Sequence, residues 1–308
     1  MRWIHAACML TAATGVAACA QDQQPVVSSA RPPALVETAS VQPSVGTAVL
    51  RVHYLANEGF LVAGADGRVL VDALFGEGIP GYAVVPADLR IAIEQGTGAW
   101  GDVAVALASH YHSDHFDPAA VGRFLRANPR AVFVSTPQAI EALGRALGAE
   151  PELLARTRAV LPAPGAIERL EIHGIDITVL NLHHGVGRPP VENIGLVVTL
   201  GDLSFLHFGD TEAKMEDFEP YLDELEGTDL ALLPFWFLAS EWRAAMVRDI
   251  IQPHWIVAGH TPTATAPASH FARWRSHENL VEVMQTAFPE ARIPRRSGEE
   301  YTFVTDDE

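Results

Sequence analysis

A nearly continuous apolar run, VAVALAS at positions 103–109, is followed at once by four side chains of the kinds that bind metal ions. A run of this length without a polar face predicts a strand that is buried on both sides of a sheet. Asp117 and Pro118 then predict the start of a helix, with the aspartate as N-cap and the proline at the first helical position. The donors therefore belong to a loop at the C-terminal end of a buried strand. They are His110, His112, Asp114 and His115.

The spacing of these donors, H-x-H-x-D-H, indicates more than one metal ion. Imidazole and carboxylate groups are ligands of Zn²⁺ and similar ions. The chain has 13 histidines in 308 residues, so this pattern would arise by chance in about one such chain per thousand. Four donors from one short loop would not fit comfortably around a single tetrahedral ion. We therefore expect His110 and His112 to face one ion, and Asp114 and His115 to face a second.

Two ions need more ligands, and other predicted strand ends supply them. The sequence NLHHG places His183 and His184 directly after an apolar strand. HFGDTE places Asp210 before a turn, and VAGHTP places His260 after another apolar strand. Pleat alternation alone does not distinguish His183 from His184.

The order of strand-like and helical patterns predicts an α/β (α+β) fold. Two apolar runs flank a turn at 64–67, which predicts a hairpin. Further strands and helices are expected in the second half: strands at 175–182, 194–200, 203–209, 230–234 and 255–259, and helices at about 239–252 and 277–287. Strands begin each half and helices follow, which two packed sheets with helices outside would satisfy.

These motifs, in this order, resemble the metallo-β-lactamase superfamily. The stretch YLANEGFLVAGADGRVLVDALF is similar to the first hairpin of that family, with Asp72 at the position of its structural aspartate. DHFD and DLALLPFWF are similar to the branch of L-ascorbate-6-phosphate lactonase-like and N-acyl-phosphatidylethanolamine phospholipase D-like proteins. The resemblance covers 49–308 and implies a four-layer αβ/βα sandwich of two mixed sheets with helices outside.

The resemblance also implies a ligand set for two divalent ions, zinc first and manganese or iron as alternatives. One ion would be held by His110, His112 and His184, and the other by Asp114, His115 and His260. Asp210 would bridge the two ions, and Asp114 and Asp210 would be the catalytic carboxylates. His183 remains the alternative third histidine.

The implied activity is hydrolysis of an ester, lactone or phosphodiester bond by a metal-bridging hydroxide. True metallo-β-lactamases lack the bridging aspartate and many use a cysteine ligand, whereas this chain has Asp210 and no cysteine after Cys19. Three alternatives remain: a β-lactamase, a mononuclear iron dioxygenase of the same superfamily, and a non-catalytic metal-binding protein.

Four residues beside the expected site are candidates for a small-molecule substrate pocket. Phe235 and Trp236 follow a strand end, although ordinary core aromatics would explain them equally well. Arg188 could meet an anionic group or be an exposed loop residue, and His183 is the fourth candidate. The formal net charge of −17 excludes nucleic acid as an expected partner.

The N-terminus predicts export. Residues 1–20 have one arginine, an apolar core and the sequence VAAC, which resembles a lipobox with Cys19 as the lipidated residue. Cleavage after Ala20, followed by secretion, is the alternative. Residues 21–47 are rich in Gln, Pro and Ser and predict a flexible linker, and 48–308 would be the hydrolase domain. The expected location is the periplasm or the outer membrane, where a lipid anchor would be the one membrane contact.

Overall fold

Thirteen strands build two sheets within the residues described by the computed structural model, which are 47–148, 150–185 and 190–305. The strands are β1 (Val49–Ala56), β2 (Gly59–Gly64), β3 (Gly67–Val71), β4 (Val103–Leu107), β5 (Val132–Ser135), β6 (Thr157–Ala159), β7 (Ile167–Ile172), β8 (Ile175–Asn181), β9 (Ile194–Leu200), β10 (Leu203–His207), β11 (Leu230–Pro234), β12 (Trp255–Gly259) and β13 (Glu299–Val304).

Both sheets are mixed. The first has the order β13-β1-β2-β3-β4-β5-β6, in which β3 to β6 are parallel and the remaining pairs are antiparallel. The second has the order β12-β11-β10-β9-β8-β7, in which β10, β11 and β12 are parallel. The carboxyl ends of parallel strands share one edge of a sheet, so the loops that leave them can converge.

A layer of apolar side chains joins the two sheets. Val52, Phe60 and Val105 of the first sheet belong to the same buried cluster as Val198 and Phe205 of the second. All five are fully buried. Burial of each such side chain contributes about 1.5–3 kcal/mol, so this layer is the main source of stability.

Helices cover the outer face of each sheet. Phe124 and Leu143 pack over the first sheet, and Phe237 and Leu280 pack over the second. The helices are α1 (Ala87–Gln95), α2 (Pro118–Ala127), α3 (Pro137–Leu147), α4 (Pro151–Leu154), α5 (Met215–Phe218), α6 (Leu222–Leu225), α7 (Phe235–Ala239), α8 (Glu241–Met246) and α9 (His277–Ala287). The four-layer sandwich predicted from the sequence is therefore confirmed. None of the described helices has both the length and the apolar character needed to cross a bilayer.

The helix starts expected at two Pro-containing turns are present. The Asp117 carboxylate accepts a hydrogen bond from Ala119 N at 2.8 Å, and Pro118 begins α2. Thr136 Oγ1 caps α3 in the same way. The Asp117 cap fixes the point at which the chain leaves the donor-rich loop.

Two local predictions differ from the structure. The first apolar run is not one strand, because the chain turns at Asn57, which has a left-handed φ of 48°, and separates β1 from β2. The helix expected at 239–252 begins earlier, at Phe235, and is interrupted at Ser240, which has extended backbone angles. After α8 it continues as a π-helical turn over Val247–Ile251.

The predicted signal peptide, with Cys19, and nearly all of the linker precede the described residues, which begin at Thr47. Arg188 also lies outside the described ranges. These assignments therefore stay predictions.

Candidate metal centre

Two groups of His and Asp side chains converge where the loops after β4, β8, β10 and β12 meet. Within each group, one nitrogen or oxygen atom per residue lies within 4.8 Å of the others. The first group is His110, His112, His184 and Asp210, and the second is Asp114, His115, Asp210 and His260. Asp210 belongs to both groups, so the two groups share one carboxylate.

In the first group the atoms that face the shared centre are 3–4 Å apart. His110 Nε2 is 3.1 Å from His112 Nδ1 and 4.0 Å from Asp210 Oδ2. His184 Nε2 is 3.7 Å from the same Asp210 oxygen. Two ligands of a tetrahedral zinc ion with bonds of 2.0–2.1 Å are about 3.3 Å apart. The distances in this group, 3.1–4.0 Å, lie around and above that value.

In the second group the spacing is tighter. His115 Nε2 lies 3.4 Å from Asp210 Oδ1 and 3.5 Å from Asp114 Oδ2. His260 Nε2 lies 3.2 Å from Asp210 Oδ2 and 3.4 Å from Asp114 Oδ2. Asp210 Oδ2 thus lies near imidazoles of both groups and Oδ1 lies near His115, so this carboxylate is placed where two ions could share it.

Several inward-facing atoms of these groups lack a hydrogen-bond partner among the described residues. They are Nε2 of His115, His184 and His260, and Oδ1 of Asp210, and all four are buried. Buried polar atoms are nearly always hydrogen-bonded, so unpartnered ones that face the interior of the two groups indicate ligand-binding positions. The donors present therefore fit two divalent cations.

Asp72 orients the second group from behind. It is fully buried, and its Oδ2 lies 2.8 Å from His115 Nδ1 and 2.8 Å from His207 Nε2. Ser109 donates two further bonds to the carboxylate, from its N and its Oγ, both at 2.6 Å. A carboxylate on the outer nitrogen of a ligand histidine fixes the ring with its other nitrogen facing the metal.

The charge on Asp72 is stabilised by the same contacts. Burial alone would raise the pKa of this carboxyl, but His115 and His207 hold it well below its usual value. His207 is fully buried, and its Nε2 contacts Asp72 and lies 3.6 Å from Glu58 Oε2. Burial raises the pKa of Glu58 to about 7, although His207 opposes the shift.

Asn57 is a site residue that sequence reasoning missed. Its Nδ2 donates to Asp114 Oδ2 at 3.0 Å, and its carbonyl accepts from His260 N at 3.0 Å. The left-handed turn between β1 and β2 therefore positions two residues of the second group. The signal in the sequence was the polar pair Asn57-Glu58 inside an otherwise apolar run.

The centre favours positive charge. Burial lowers the pKa of His260, yet Asp210 and Asp114 outweigh burial and raise it to about 10. Burial would raise the pKa of Asp210, but His260 and His115 hold it well below its usual value. A histidine must be deprotonated at the ligating nitrogen to bind a metal ion, so a metal ion would compete with protons for these imidazoles.

The side chains of the adjacent residues His183 and His184 lie in different places. His184 lies in the first group, whereas the His183 side chain is exposed and its Nε2 is 3.3 Å from Asp217 Oδ2. The His183 carbonyl accepts bonds from Thr211 Oγ1 at 2.9 Å and from Glu212 N at 3.2 Å. These bonds tie the β8 loop to the residues after Asp210 and leave His184 facing the centre.

The two aromatic candidates also differ in position. Trp236 lies beside the centre, with its ring centroid 5.2 Å from that of His260, and its Nε1 donates to Thr211 O at 3.2 Å. Phe235 is buried in the outer helical layer and packs against Trp274 at 5.4 Å. Trp236 therefore borders the site, whereas Phe235 supports it from the core.

A family model described as the beta-lactamase superfamily domain matches residues 67–280, more than half of the chain. The chain belongs to the β-lactamase superfamily. This family and the donor clusters make the chain a member of a metallo-hydrolase superfamily with candidate metal-binding residues. The specific branch named from DHFD and DLALLPFWF stays a prediction. A comparison with curated proteins finds no match.

Solved structures of other proteins share the fold of this chain. The metallo-beta-lactamase fold protein YhfI from Bacillus subtilis is 18% identical with a TM-score of 0.55, and the match covers 83% of this chain and 100% of that one. The metallo hydrolase Igni18 from Ignicoccus hospitalis is 16% identical with a TM-score of 0.53, covering 83% and 98%. The diiron β-hydroxylase CmlA from Streptomyces venezuelae is 15% identical with a TM-score of 0.54, covering 83% and 54%.

Proposed function

We propose that this β-lactamase-superfamily protein is a binuclear hydrolase that cleaves an ester, lactone or phosphodiester bond of a small molecule. The observation that carries the proposal is the position of Asp210, whose two oxygens lie 3.2–4.0 Å from imidazoles of both donor groups. Binuclear sites clamp the attacking and leaving oxygens of a substrate, which suits hydrolysis of these bonds.

The first group would hold one ion and the second group the other, with Asp210 shared. The donor set of imidazole and carboxylate suits zinc, and manganese or iron are the alternatives. When bound, two such ions supply Lewis acidity and lower the pKa of a water molecule, so that hydroxide is available near neutral pH.

The side chains of this protein supply orientation. Asp72 holds the ring of His115, and Asn57 holds the carboxylate of Asp114. Preorganised polar groups do not have to move as charge develops, which is the main way in which such sites lower a barrier. In the reaction the water oxygen bonds to carbon or phosphorus, the bond to the leaving oxygen breaks, and a proton passes to the leaving group.

An iron-dependent oxygenase is the second candidate function. The observation that favours it is the shared fold with CmlA, which is named a diiron β-hydroxylase. Asp210 and the cysteine-free donor set weigh against a β-lactamase. A non-catalytic metal-binding protein would keep metal but show no turnover.

A panel of chromogenic substrates tests the proposed hydrolase function. We expect the zinc-loaded protein to hydrolyse p-nitrophenyl butyrate, bis-p-nitrophenyl phosphate or a γ-lactone, and chelation to abolish that activity. Nitrocefin serves as the β-lactam control, and oxygen uptake with ferrous iron as the oxygenase control. Turnover of nitrocefin alone, or oxygen uptake alone, would reject the proposed function.

We also propose that the protein is exported and anchored through lipid on Cys19, with secretion as the alternative. The VAAC sequence and the Gln-, Pro- and Ser-rich stretch after it support this proposal. We expect a palmitate analogue to label the wild type in bacterial cells and not Cys19→Ala. Cys8→Ala is the matched control, because Cys8 is the one other cysteine of the chain. Equal labelling of the two variants would contradict the anchor.

A further inference from the structure

Tyr82 lies on the loop between β3 and α1, and its ring packs on a proposed metal ligand. The ring centroids of Tyr82 and His260 are 4.5 Å apart and the rings meet edge to face, at 72°. A second ring contact is with His270, at 5.4 Å and 69°. Two histidines from the segment after β12 therefore hold the tyrosine ring in place.

Backbone contacts fix the loop at the residue before Tyr82. Thr263 donates to the Gly81 carbonyl from its N at 2.9 Å and from its Oγ1 at 3.3 Å. Gly81 has a φ of +94°, and atoms of the His270 ring lie 2.8–3.2 Å from the point that a Cβ would occupy. Any other residue at position 81 would be strained and would collide with His270. The glycine thus permits the close approach of the His270 ring to the loop that carries Tyr82.

The Tyr82 hydroxyl is a hydrogen-bond donor near the centre. Among the described residues its oxygen has no hydrogen-bond partner, whereas the hydroxyl of Tyr221 donates to Asn181 O at 3.1 Å. Tyr82 is partly buried beside His260, and its hydroxyl is the one polar group of the side chain. A tyrosine hydroxyl has an ordinary pKa of about 10 and is therefore a hydrogen-bond donor at neutral pH.

We propose that Tyr82 Oη donates a hydrogen bond to the substrate oxygen that gains negative charge during hydrolysis. The assignment rests on the proposed hydrolase function and gives its site a catalytic residue outside the metal-binding groups. Trp236 contacts the His260 ring as well, and its Nε1 is already bonded to Thr211 O. A substrate beside His260 would thus lie near the side chains of both Tyr82 and Trp236.

Tyr82→Phe tests the assignment, because it removes the hydroxyl and keeps the ring that contacts His260 and His270. Loss of one donor to a developing oxyanion costs about 10²–10³-fold in kcat. We expect a fall of that size in kcat on the panel substrate that the wild type hydrolyses, with KM changed much less and with metal content unchanged. Inorganic phosphate provides a readout independent of turnover, and we expect its dissociation constant, measured by calorimetry on zinc-loaded protein, to rise about tenfold.

Tyr111→Phe is the matched control, because the Tyr111 ring packs on another proposed ligand, His112, at 5.2 Å. Unchanged kcat and phosphate affinity in Tyr82→Phe, or equal losses in both variants, would overturn the assignment. Suppose instead that the wild type hydrolyses no probe, yet binds phosphate about tenfold more tightly than Tyr82→Phe. The proposed function would then fail while the hydrogen-bond role of Tyr82 would stand.

Discussion

Asp72→Ala is expected to lower the free energy of unfolding by about 3–5 kcal/mol, because it leaves buried charged and polar partners without their acceptor. His115, His207 and Ser109 all direct bonds to this fully buried carboxylate. For a domain of this size we expect the Tm to fall by about 10 °C. The measurement is thermal unfolding followed by circular dichroism, with chelator present so that metal binding does not contribute.

The stabilisation that Asp72 provides is expected to be lost at low pH. The pKa of Asp72 is lower in the folded protein than its usual value, so its contribution is present above about pH 4 and is lost as the pH falls further. Asp176→Ala is the matched control, because Asp176 is an exposed aspartate on β8. A Tm for Asp72→Ala equal to that of Asp176→Ala would contradict the role of Asp72 as the support of the centre.

Asp210→Ala is expected to reduce kcat/KM for the responsive panel substrate by about 10³-fold or more. Asp210 is the residue common to both donor groups, so its loss affects both ions and the distance between them. Residues that act as one unit show large single effects of this kind. The measurement is steady-state hydrolysis with zinc in excess, and circular dichroism checks that the variant is folded.

Asp202→Ala is the control for this variant, because Asp202 is an exposed aspartate in the turn between β9 and β10. Asp210→Asn keeps the shape of the side chain and is measured beside it, in case the alanine variant does not fold. If both Asp210 variants kept activity within a few-fold of wild type, the carboxylate shared by the two groups would not be the basis of catalysis.

The central strands and the apolar edge strand β12 were predictable from the sequence, but the other three edge strands were not. β4, β9 and β11 read as nearly continuous apolar runs because both of their faces are covered. β6, β7 and β13 lie at the edges of the two sheets and carry charged, partly exposed residues. Edge strands avoid apolar surfaces that would pair with other chains, so they leave little hydrophobic signal.

Some residues of the candidate site were likewise predictable from the sequence, and others were not. Its donors were predictable because each follows a buried strand, so that local sequence alone marks the sheet edge where loops converge. Asn57 and Tyr82 were not, because contacts with the distant His260 bring them to the centre. The difference between His183 and His184 depends on carbonyl bonds to the loop after β10, which no local pattern contains.

Metal content per chain is the most direct test of the binuclear centre. We expect mass spectrometry of the purified wild type to find about two zinc or manganese ions per chain. His184→Ala should lose one ion, and His183→Ala should keep both, because the His184 side chain alone of this pair belongs to a donor group. A single ion in the wild type, or equal content in the two histidine variants, would contradict the two-ion account.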